Sequence, residues 1–475
     1  MTATGATQAR NALRPWLAHY PPAVPPELDE AKVGTLADLI RFACSTYASR
    51  PAFESFGKTI TFVETRQAAE SFAGWLQAKG LKKGDRVALM MPNILAYPAA
   101  LFGVLLGGFT AVNVNPLYTA RELTHQINDA GARVLVVIEN FAHVVEEAKP
   151  NLKLDAIVVA TAGDLMGFKG KIVNFVARRI KKVVKPYNLP GSVGFQQVLQ
   201  SGARMAPVTV VPDDVAFLQY TGGTTGRPKG ATLMHSNVLS NMMQNALWVE
   251  DAFTIKPKPA HVNYVCALPL YHIFALTVNA MMGMQQGARN LLIPNPRDIP
   301  GFVKELKKQP FHIFPGLNTL FNALLNNEDF RKLDFKPLVL TLGGGMAVQK
   351  GVAERWKALT GCPVSEGYGL SETSPVATAN KFSSSEFTGT IGLPLPSTEI
   401  AIRDDDGNNL PLREVGEICI RGPQVMAGYW NRPDETAKVM TEDGFFKSGD
   451  MGFMDERGYT KIVDRKKDMI LVSGF

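Results

Sequence analysis

The sequence predicts an α/β fold with mainly parallel strands, followed by a small β-rich subdomain. Over the first 390 residues, strand-like apolar runs alternate with helical patterns, and beyond them short alternating runs are separated by turn signals. A chain of 475 residues has room for roughly three domain-sized units. We therefore expect α/β subdomains over residues 1–200 and 201–390 and a β-rich subdomain over residues 391–463.

The composition is typical of a soluble globular protein, with 46% hydrophobic and 20% charged residues. The net charge of +7 includes no long block of Lys and Arg, so we expect anionic small molecules or a membrane surface as partners and no nucleic acid. Cys44, Cys266, Cys362 and Cys419 are far apart in the chain, which argues against a zinc site or a disulfide framework. Because an apolar signal core is also lacking at the N-terminus, we expect a reducing, cytoplasmic location.

Local patterns predict the elements of the first subdomain. The proline-rich residues 1–30 are expected to lack regular structure, and Thr61–Lys79 is an amphipathic helix closed by Gly80. The mostly apolar run Ala99–Val112 is too short to span a bilayer and is expected as a buried helix. Strands are predicted at Arg86–Met91, Arg133–Ile138 and Ala156–Ala160.

A basic amphipathic helix is predicted over Lys169–Lys185. Its apolar residues recur at helical spacing: Ile172, Val176, Ile180 and Val183. Lysine and arginine residues lie on the other side of the helical wheel, a pattern that suits an anionic membrane surface. A helix packed on the core with a solvated basic face would show the same pattern, so both interpretations stay open.

The glycine-rich segment Tyr220–Ala231 is the strongest functional signal. It follows the strand-like run Val215–Leu218 and combines three glycines, three threonines and a lysine: Gly222, Gly223, Gly226, Thr221, Thr224, Thr225 and Lys229. Free backbone N–H groups, hydroxyls and one mobile cation are the groups that a polyphosphate requires. Gly230 follows Lys229, so the segment is not a Walker A loop. A flexible hairpin, the alternative, would need glycines but neither the threonines nor the lysine.

A second glycine-rich segment, Glu366–Pro375, offers a ring and a carboxylate. Tyr368 lies between two glycines and has room for a planar ring against its face. Glu372 is expected as an exposed loop carboxylate that could hold Mg²⁺ on phosphates, with Thr373 donating to a phosphate oxygen. The alternative is a tight turn with a charged tip.

Three further positions are weaker candidates. The strand Leu338–Leu342 ends in Gly343–Met346, whose three glycines let a ligand lie against bare backbone or make a plain turn. His272 is surrounded by apolar residues, as a core histidine usually is. Asp450 follows the strand-like run Gly444–Lys447 and could accept from two vicinal hydroxyls or be a surface turn residue.

Together these motifs resemble the adenylate-forming superfamily of acyl-CoA synthetases, luciferases and peptide-synthetase adenylation domains. The resemblance covers most of the chain, includes Asn113–Pro116 and Gly422–Trp430, and is closest to bacterial long-chain fatty acyl-CoA ligases. It implies the large N-terminal domain of such an enzyme, with a barrel-like third subdomain. It also implies fatty acid, ATP and CoA as substrates with Mg²⁺ as cofactor. The acid is converted to acyl-AMP and then to acyl-CoA.

The resemblance also implies the roles of individual residues. The catalytic set is Thr221, Lys229, His272 and Glu372, with Glu372 on the metal. The nucleotide-binding set is Thr221, Gly222, Gly223, Thr224, Thr225, Gly226, Lys229, Gly344, Gly345, Glu366, Gly367, Tyr368, Gly369, Thr373, Asp450 and Arg465. In this scheme Tyr368 stacks on adenine, Asp450 and Arg465 hold the ribose, and His272 lies beside the carboxylate that is activated.

The end of the chain departs from the family pattern. The resemblance identifies residues 464–475 as a hinge, followed in the family by a mobile C-terminal domain whose lysine steadies the α-phosphate. We therefore expect this chain to lack that domain, to bind ATP and acyl-adenylate, and to be severely impaired in catalysis. Acyl-CoA production by the 475-residue chain would contradict this expectation.

Other functions stay open at this point. A fatty acyl-AMP ligase would pass the acyl group to a carrier protein, and a luciferase-type oxygenase would emit light. A nucleotide-sensing or scaffold protein that kept the fold would be expected to lose Lys229 or Glu372, and both are present. The family resemblance favours a peripheral position on the inner face of the cytoplasmic membrane, and a homodimer is compatible with the sequence. The apolar run Phe311–Leu325 would line the acyl pocket or form a core helix.

Overall fold

The computed structural model describes residues 14–221 and 228–465, in which strands and helices alternate along most of the chain. The strands are β1 Pro51–Ser55, β2 Lys58–Thr61, β3 Arg86–Met90, β4 Thr110–Asn113, β5 Ala132–Ile138, β6 Ala156–Ala160, β7 Val193–Gly194, β8 Val215–Thr221, β9 Lys229–Met234, β10 Asn263–Cys266, β11 Arg289–Leu292, β12 Ile313–Gly316, β13 Leu340–Gly343, β14 Val364–Gly369, β15 Val376–Ala379, β16 Leu393–Pro394, β17 Glu399–Arg403, β18 Gly416–Arg421, β19 Gly428–Tyr429, β20 Phe446–Met454 and β21 Thr460–Arg465.

The α-helices are α1 Leu36–Thr46, α2 Phe62–Ala78, α3 Ala96–Leu106, α4 Ala120–Ala130, α5 Ala142–Ala148, α6 Phe168–Phe175, α7 Phe195–Leu199, α8 His235–Val249, α9 Ile273–Ala275, α10 Met282–Gln286, α11 Ile299–Leu306, α12 Asn318–Leu325, α13 Glu328–Arg331, α14 Lys350–Thr360 and α15 Pro433–Val439. Short 3₁₀ turns occur at Pro15–His19, Glu30–Lys32, Glu139–Phe141, Lys149–Asn151, Ala252–Thr254 and Ser371–Thr373. A π-helical turn, Val176–Ile180, continues α6, and another, Leu276–Met281, joins α9 to α10.

The first large sheet has eight strands within the described residues, in the order β19-β9-β8-β4-β3-β5-β6-β7. The strands from β8 to β7 run parallel, and β9 and β19 are antiparallel additions at one edge. Parallel strands need a crossover connection, which α3 supplies between the neighbours β3 and β4, and α4 leads from β4 to β5 on the other side of β3. This sheet is therefore mainly parallel, as the alternating sequence pattern predicts.

The second large sheet has nine strands within the same residues, in the order β16-β15-β14-β13-β12-β10-β11-β1-β2. The strands from β14 to β1 are parallel, and β2, β15 and β16 are antiparallel. A separate antiparallel sheet, β17-β18-β20-β21, follows as the β-rich part. The short alternating runs of the sequence lie at Glu399–Arg403 and Gly416–Arg421, and β17 and β18 have the same bounds.

Several local predictions are confirmed. α2 begins after Thr61, whose side chain forms a capping box with Glu64, and Gly80 beyond its end has a φ of 81°. Each residue of α3 is buried, as expected for a helix that is apolar on all sides, although the end of the predicted run belongs to β4. Pro15–His19 forms a 3₁₀ turn where the proline-rich residues were expected to lack regular structure.

The basic helix is shorter than predicted. α6 and its π-helical turn end at Ile180, and Lys182 has a left-handed φ of 50°, which a continuing helix cannot contain. Arg178 within the turn donates to the buried carboxylate of Glu139 at 2.7 Å, and this contact anchors the segment to the protein. The predicted range Lys169–Lys185 is therefore a helix only as far as Ile180.

Strands are exchanged across the subdomain boundary predicted near residue 200. β1 and β2 precede the boundary yet belong to the second large sheet. β8 and β9 follow it yet complete the first sheet, which β19 extends from far along the chain. Among the helices of the described ranges, none combines the length and the apolar composition that crossing a bilayer requires.

Asn93 joins the two large sheets. It follows β3 of the first sheet, and its amide group donates to the carbonyl oxygens of Cys266 and Leu268 at 2.9 and 2.8 Å. Its side-chain oxygen accepts from the N–H group of Leu270 at 2.8 Å. Because Asn93 is only 2% exposed, its three backbone partners are hydrogen-bonded away from water, although the carbonyl oxygen of Cys266 also accepts from the N–H group of Ile293 at 3.0 Å.

Replacing Asn93 by Ala is expected to lower the free energy of unfolding by about 3 kcal/mol, because buried backbone groups lose their partners. The measurement is denaturant unfolding followed by intrinsic fluorescence. Asn128→Ala removes one exposed hydrogen bond, to the carbonyl oxygen of Asn151, and is the control, with a loss below about 1 kcal/mol. Equal losses in the two variants would contradict a joining role for Asn93.

Candidate active site

A cavity of about 830 Å³ lies where the carboxyl ends of strands from both large sheets meet. In open α/β sheets this edge is where ligands bind. β4, β8, β13 and β14 reach the cavity with their last residues, and β20 and β21 supply a further part of its wall. The predicted residues that line it are Thr221, Lys229, His272, Gly344, Gly345, Gly367, Tyr368, Gly369, Glu372, Asp450 and Arg465.

Two predicted residues do not line the cavity. Thr373 is fully buried, and its hydroxyl hydrogen-bonds to backbone groups of Leu370 and Pro375 within its own loop. Glu366 accepts from the N–H group of Val348 at 3.0 Å. Both side chains are hydrogen-bonded to backbone groups of the protein, whereas the resemblance implied that they contact the nucleotide. The predictions for Gly222, Gly223, Thr224, Thr225 and Gly226 lie outside the described residues.

Glu372 is buried, whereas the sequence suggested an exposed loop. Its side chain is on the cavity wall, yet the residue is only 7% exposed. The reason is that the N–H group of Met426 donates to the carbonyl oxygen of Glu372 at 2.8 Å, which fixes a distant segment over the loop. The hydroxyl of Tyr429 in that segment donates to Oε1 of Glu372 at 2.7 Å. Burial raises the pKa of Glu372 although this hydrogen bond opposes the shift.

Lys229 begins β9 and extends toward the same wall. Its Nζ lies 3.0 Å from Oε2 of Glu435 and 4.5 Å from the ring centre of Tyr429. Tyr429 therefore contacts both charged groups of this half of the cavity, with its ring on the ammonium group and its hydroxyl on the Glu372 carboxylate.

The opposite half of the cavity carries Tyr368, Asp450 and Arg465. Asp450 lies inside β20, opposite Arg465 of β21, and is 5% exposed, which excludes the surface-turn alternative. Its carboxylate accepts from the hydroxyl of Tyr368 at 2.7 Å and from Nε of Arg465 at 3.2 Å. Gly369 is required beside Tyr368, because a Cβ atom there would lie 1.7 Å from the carbonyl oxygen of Pro375.

His272 is an exposed cavity residue, so the interpretation as a core histidine is wrong. Its Nδ1 accepts from the N–H group of Phe274 at 3.4 Å at the start of α9. The surrounding protein lowers the pKa of the imidazole by desolvation, which favours the neutral form. With Nδ1 accepting, the neutral ring carries its proton on Nε2 and can donate it to a ligand.

The sequence patterns missed a chain of hydrogen-bonded polar residues, of which Asn113 and Gln219 line the cavity. The Tyr97 hydroxyl donates to Asn113 Oδ1 at 2.6 Å, and Asn113 Nδ2 donates to Gln219 Oε1 at 3.0 Å. Gln219 Nε2 then donates to the carbonyl oxygen of Tyr271 at 3.0 Å, beside His272. A polar residue at the carboxyl end of an apolar strand, as in β4 and β8, is the signal that could have identified them.

The apolar lining of the cavity does not come from the run Phe311–Leu325, which was one expectation from the sequence. This lining includes Phe274, Val278, Leu342 and Phe382. Phe311–Leu325 contributes no residue to this lining, and its large side chains pack in a separate core with Trp356. The run therefore belongs to the core, as the strand β12 followed by the helix α12, and the core-helix alternative holds only for its second part.

Glu372→Gln is expected to stabilise the fold at neutral pH. The raised pKa of Glu372 means that stability is fully present below about pH 4 and is lost as pH rises through the folded-state pKa. Glutamine removes this loss and still accepts from Tyr429. The free energy of unfolding, measured against pH, should therefore diverge from wild type only as pH rises. The exposed Glu354→Gln is the control and should follow wild type throughout.

Known proteins are similar to this chain in sequence and fold. The AMP-binding enzyme family matches residues 40–430. A long-chain-fatty-acid–CoA ligase of Yersinia pestis is 52% identical over 464 residues, which cover 97% of this chain and 82% of that protein. The corresponding ligase of Bacillus subtilis is 34% identical over 466 residues, with the same coverage of each chain.

Solved structures with a similar fold support the same family. A long-chain-fatty-acid–CoA ligase from Archaeoglobus fulgidus has a TM-score of 0.77 at 25% identity, covering 93% of this chain and 86% of that one. ATP-bound MatB from Rhodopseudomonas palustris has a TM-score of 0.73 at 26% identity, covering 92% and 80%. From the family match over most of its length and from these relatives, the chain belongs to the AMP-binding enzyme family.

Proposed function

We propose that the protein activates a long-chain fatty acid with ATP, forming acyl-AMP and pyrophosphate and then acyl-CoA and AMP. The observation that carries the proposal is one cavity with a charged half, Lys229 and Glu372, and an apolar end at Phe274 and Val278. A molecule with a polyphosphate and a hydrocarbon tail matches that division. The relative of Yersinia pestis, named long-chain-fatty-acid–CoA ligase, supports the choice of acid and thiol.

In the first step an oxygen of the fatty-acid carboxylate attacks the α-phosphorus of ATP, and pyrophosphate leaves. Lys229 neutralises phosphate charge, and His272 donates from Nε2 to the carboxylate, orienting it without acting as a base. Asp450 accepts from the ribose hydroxyls, and Tyr368 provides a ring face for adenine. In the second step the CoA sulfur attacks the acyl carbonyl carbon, and AMP leaves. Catalysis rests on position and charge stabilisation.

The residues present fit a Mg²⁺ ion that is shared with the nucleotide. Across residues 14–221 and 228–465, no three or more His, Cys, Asp or Glu side chains gather as a metal site of their own. Glu372 is a single carboxylate on the cavity wall, and Mg²⁺ is commonly held by one or two carboxylates together with substrate phosphates. When bound, the ion would neutralise charge on the phosphates, and Glu372 must be ionised to hold it.

The direct test is calorimetric titration with a hydrolysis-resistant acyl-adenylate analogue in short-tail and long-tail forms. Burial contributes up to ~0.8 kcal/mol per CH₂ group, so four added carbons should contribute ~3 kcal/mol, roughly 150-fold in affinity. Val278→Phe fills the apolar end and should reduce this gain while the short-tail affinity is kept. Val211→Phe, at an exposed site outside the cavity lining, is the matched control.

Equal affinities for both tails would contradict a long-chain substrate, and no binding of either would contradict the nucleotide site. The second candidate, transfer of the acyl group to a carrier protein, differs only in the acceptor thiol. Product analysis with CoA and with a phosphopantetheinylated carrier protein therefore separates the two functions.

We further propose that α6 and its π-helical turn contact an anionic membrane surface. Phe168, Ile172 and Phe175 are 77%, 52% and 59% exposed, so the apolar side chains do not pack on the core. The neighbouring exposed cations are Lys169, Lys171, Arg179, Lys181, Lys182 and Lys185. Exposed apolar side chains flanked by cations are the groups that bind an anionic interface. Substrates with long hydrocarbon tails would be available at that surface.

Co-sedimentation with vesicles of phosphatidylglycerol and phosphatidylcholine tests this contact. The triple substitution Phe168→Ser, Ile172→Ser and Phe175→Ser should weaken partitioning by about tenfold or more, because apolar area is no longer buried in lipid. Phe42→Ser, at a 56% exposed position on α1, is the matched control and should bind as wild type does. Binding that is insensitive to the triple substitution would contradict the proposal.

A further inference from the structure

Glu435 belongs to none of the glycine-rich motifs, yet it contacts the lysine proposed to bind phosphate. Its Oε2 lies 3.0 Å from Nζ of Lys229. Its Oε1 lies 2.6 Å from Nζ of Lys438, three residues later on the same helix. Lys438 itself lines the cavity. One carboxylate is therefore shared between two ammonium groups at the edge of the proposed polyphosphate site.

The backbone fixes this arrangement. β19 pairs with β9 so that Tyr429 lies opposite Ala231, two residues from Lys229. The N–H group of Tyr429 donates to Oγ1 of Thr436 at 2.9 Å, which ties the first turn of α15 to β19. Glu435 is thus held in reach of Lys229 by a strand pair and a helix start, independently of the ion pair itself.

Because both are negatively charged, the Glu435 carboxylate and a phosphate group would compete for the ammonium group of Lys229. A single ammonium group that is 3.0 Å from a carboxylate cannot give the same hydrogen-bonding positions to a phosphate oxygen. A polyphosphate beside Lys229 would also be repelled by the Glu435 carboxylate. Glu435 is not left unpaired if it releases Lys229, because Lys438 remains beside its other oxygen. The side chains of Lys229 and Glu435 are 32% and 37% exposed, so water assists the exchange.

We propose that Glu435 is a counter-ion that competes with the polyphosphate of ATP for Lys229 and thereby lowers the affinity for ATP, with Lys438 retaining Glu435 when phosphate binds. The proposal rests on the proposed function for the identity of the polyphosphate. It adds a residue that sets nucleotide affinity from outside the glycine-rich motifs. It predicts that the affinity for ATP is below the value that Lys229 alone would give.

The experiment is calorimetric titration of the 475-residue chain and its Glu435→Gln variant with ATP and, separately, with the long-tail acyl-adenylate analogue. Partly exposed ion pairs are weak, so the variant should bind ATP about threefold more tightly, with a larger gain at low ionic strength. Its affinity for the analogue, which lacks the pyrophosphate part, should change by less than that. The proposal is overturned if ATP affinity is unchanged or reduced.

Two controls make the result specific. Glu456→Gln removes an exposed carboxylate of the same kind, ion-paired with Arg413 and outside the cavity lining, and should leave ATP affinity unchanged. In a Lys229→Gln background, Glu435→Gln should give a clearly smaller gain, because the competed cation is gone and only the repulsion between carboxylate and phosphate remains. A gain of the same size in both backgrounds would indicate a general charge effect and overturn the proposal. If wild type binds the analogue while Glu435→Gln leaves ATP affinity unchanged, only this inference fails; if wild type binds neither ligand, the proposed function fails as well.

Discussion

The structure depends on two parallel sheets that meet at the carboxyl ends of their strands. Asn93, at the end of β3, is hydrogen-bonded to three backbone groups of the segment that follows β10, and so fixes one sheet edge against the other. The same segment leads to His272. The contact that joins the sheets therefore also positions a side chain of the cavity. The buried amide group of Asn93 therefore contributes both to the stability of the fold and to the geometry of the site.

The charged half of the cavity is built by residues that are distant in sequence. Tyr429 contacts the ammonium group of Lys229 with its ring and the carboxylate of Glu372 with its hydroxyl. The side chains of Lys229 and Glu372 are therefore positioned by the protein itself, without contacts from a ligand. The burial of Glu372 raises its pKa and so opposes its ionisation. The protein therefore keeps a carboxylate that is costly to ionise on the cavity wall, where a bound cation would stabilise it. Such a conflict between stability and charge is typical of functional sites.

Secondary structure was predictable from the sequence where local residue patterns determine it. β17 and β18 follow from alternation, and α2 follows from its amphipathic pattern and the closing Gly80. The side-chain environment was not predictable in the same way. Glu372 was expected to be exposed and is buried. The apolar neighbours of His272 left a core position open beside the site position that the resemblance implied, and the residue is exposed. Each environment depends on segments that pack from elsewhere in the chain.

The sequence by itself determined the α/β class, the order of most elements and the chemical character of the site. Glycines, threonines, a lysine and a carboxylate in two short motifs are local signals that need no tertiary information. Tertiary structure alone decided which of these residues share a cavity, why Thr373 does not reach it, and that Tyr429 and Glu435 do contact its charges. The physical reason is that β19 pairs with β9 across a long stretch of chain, and local periodicity carries no information about such pairing.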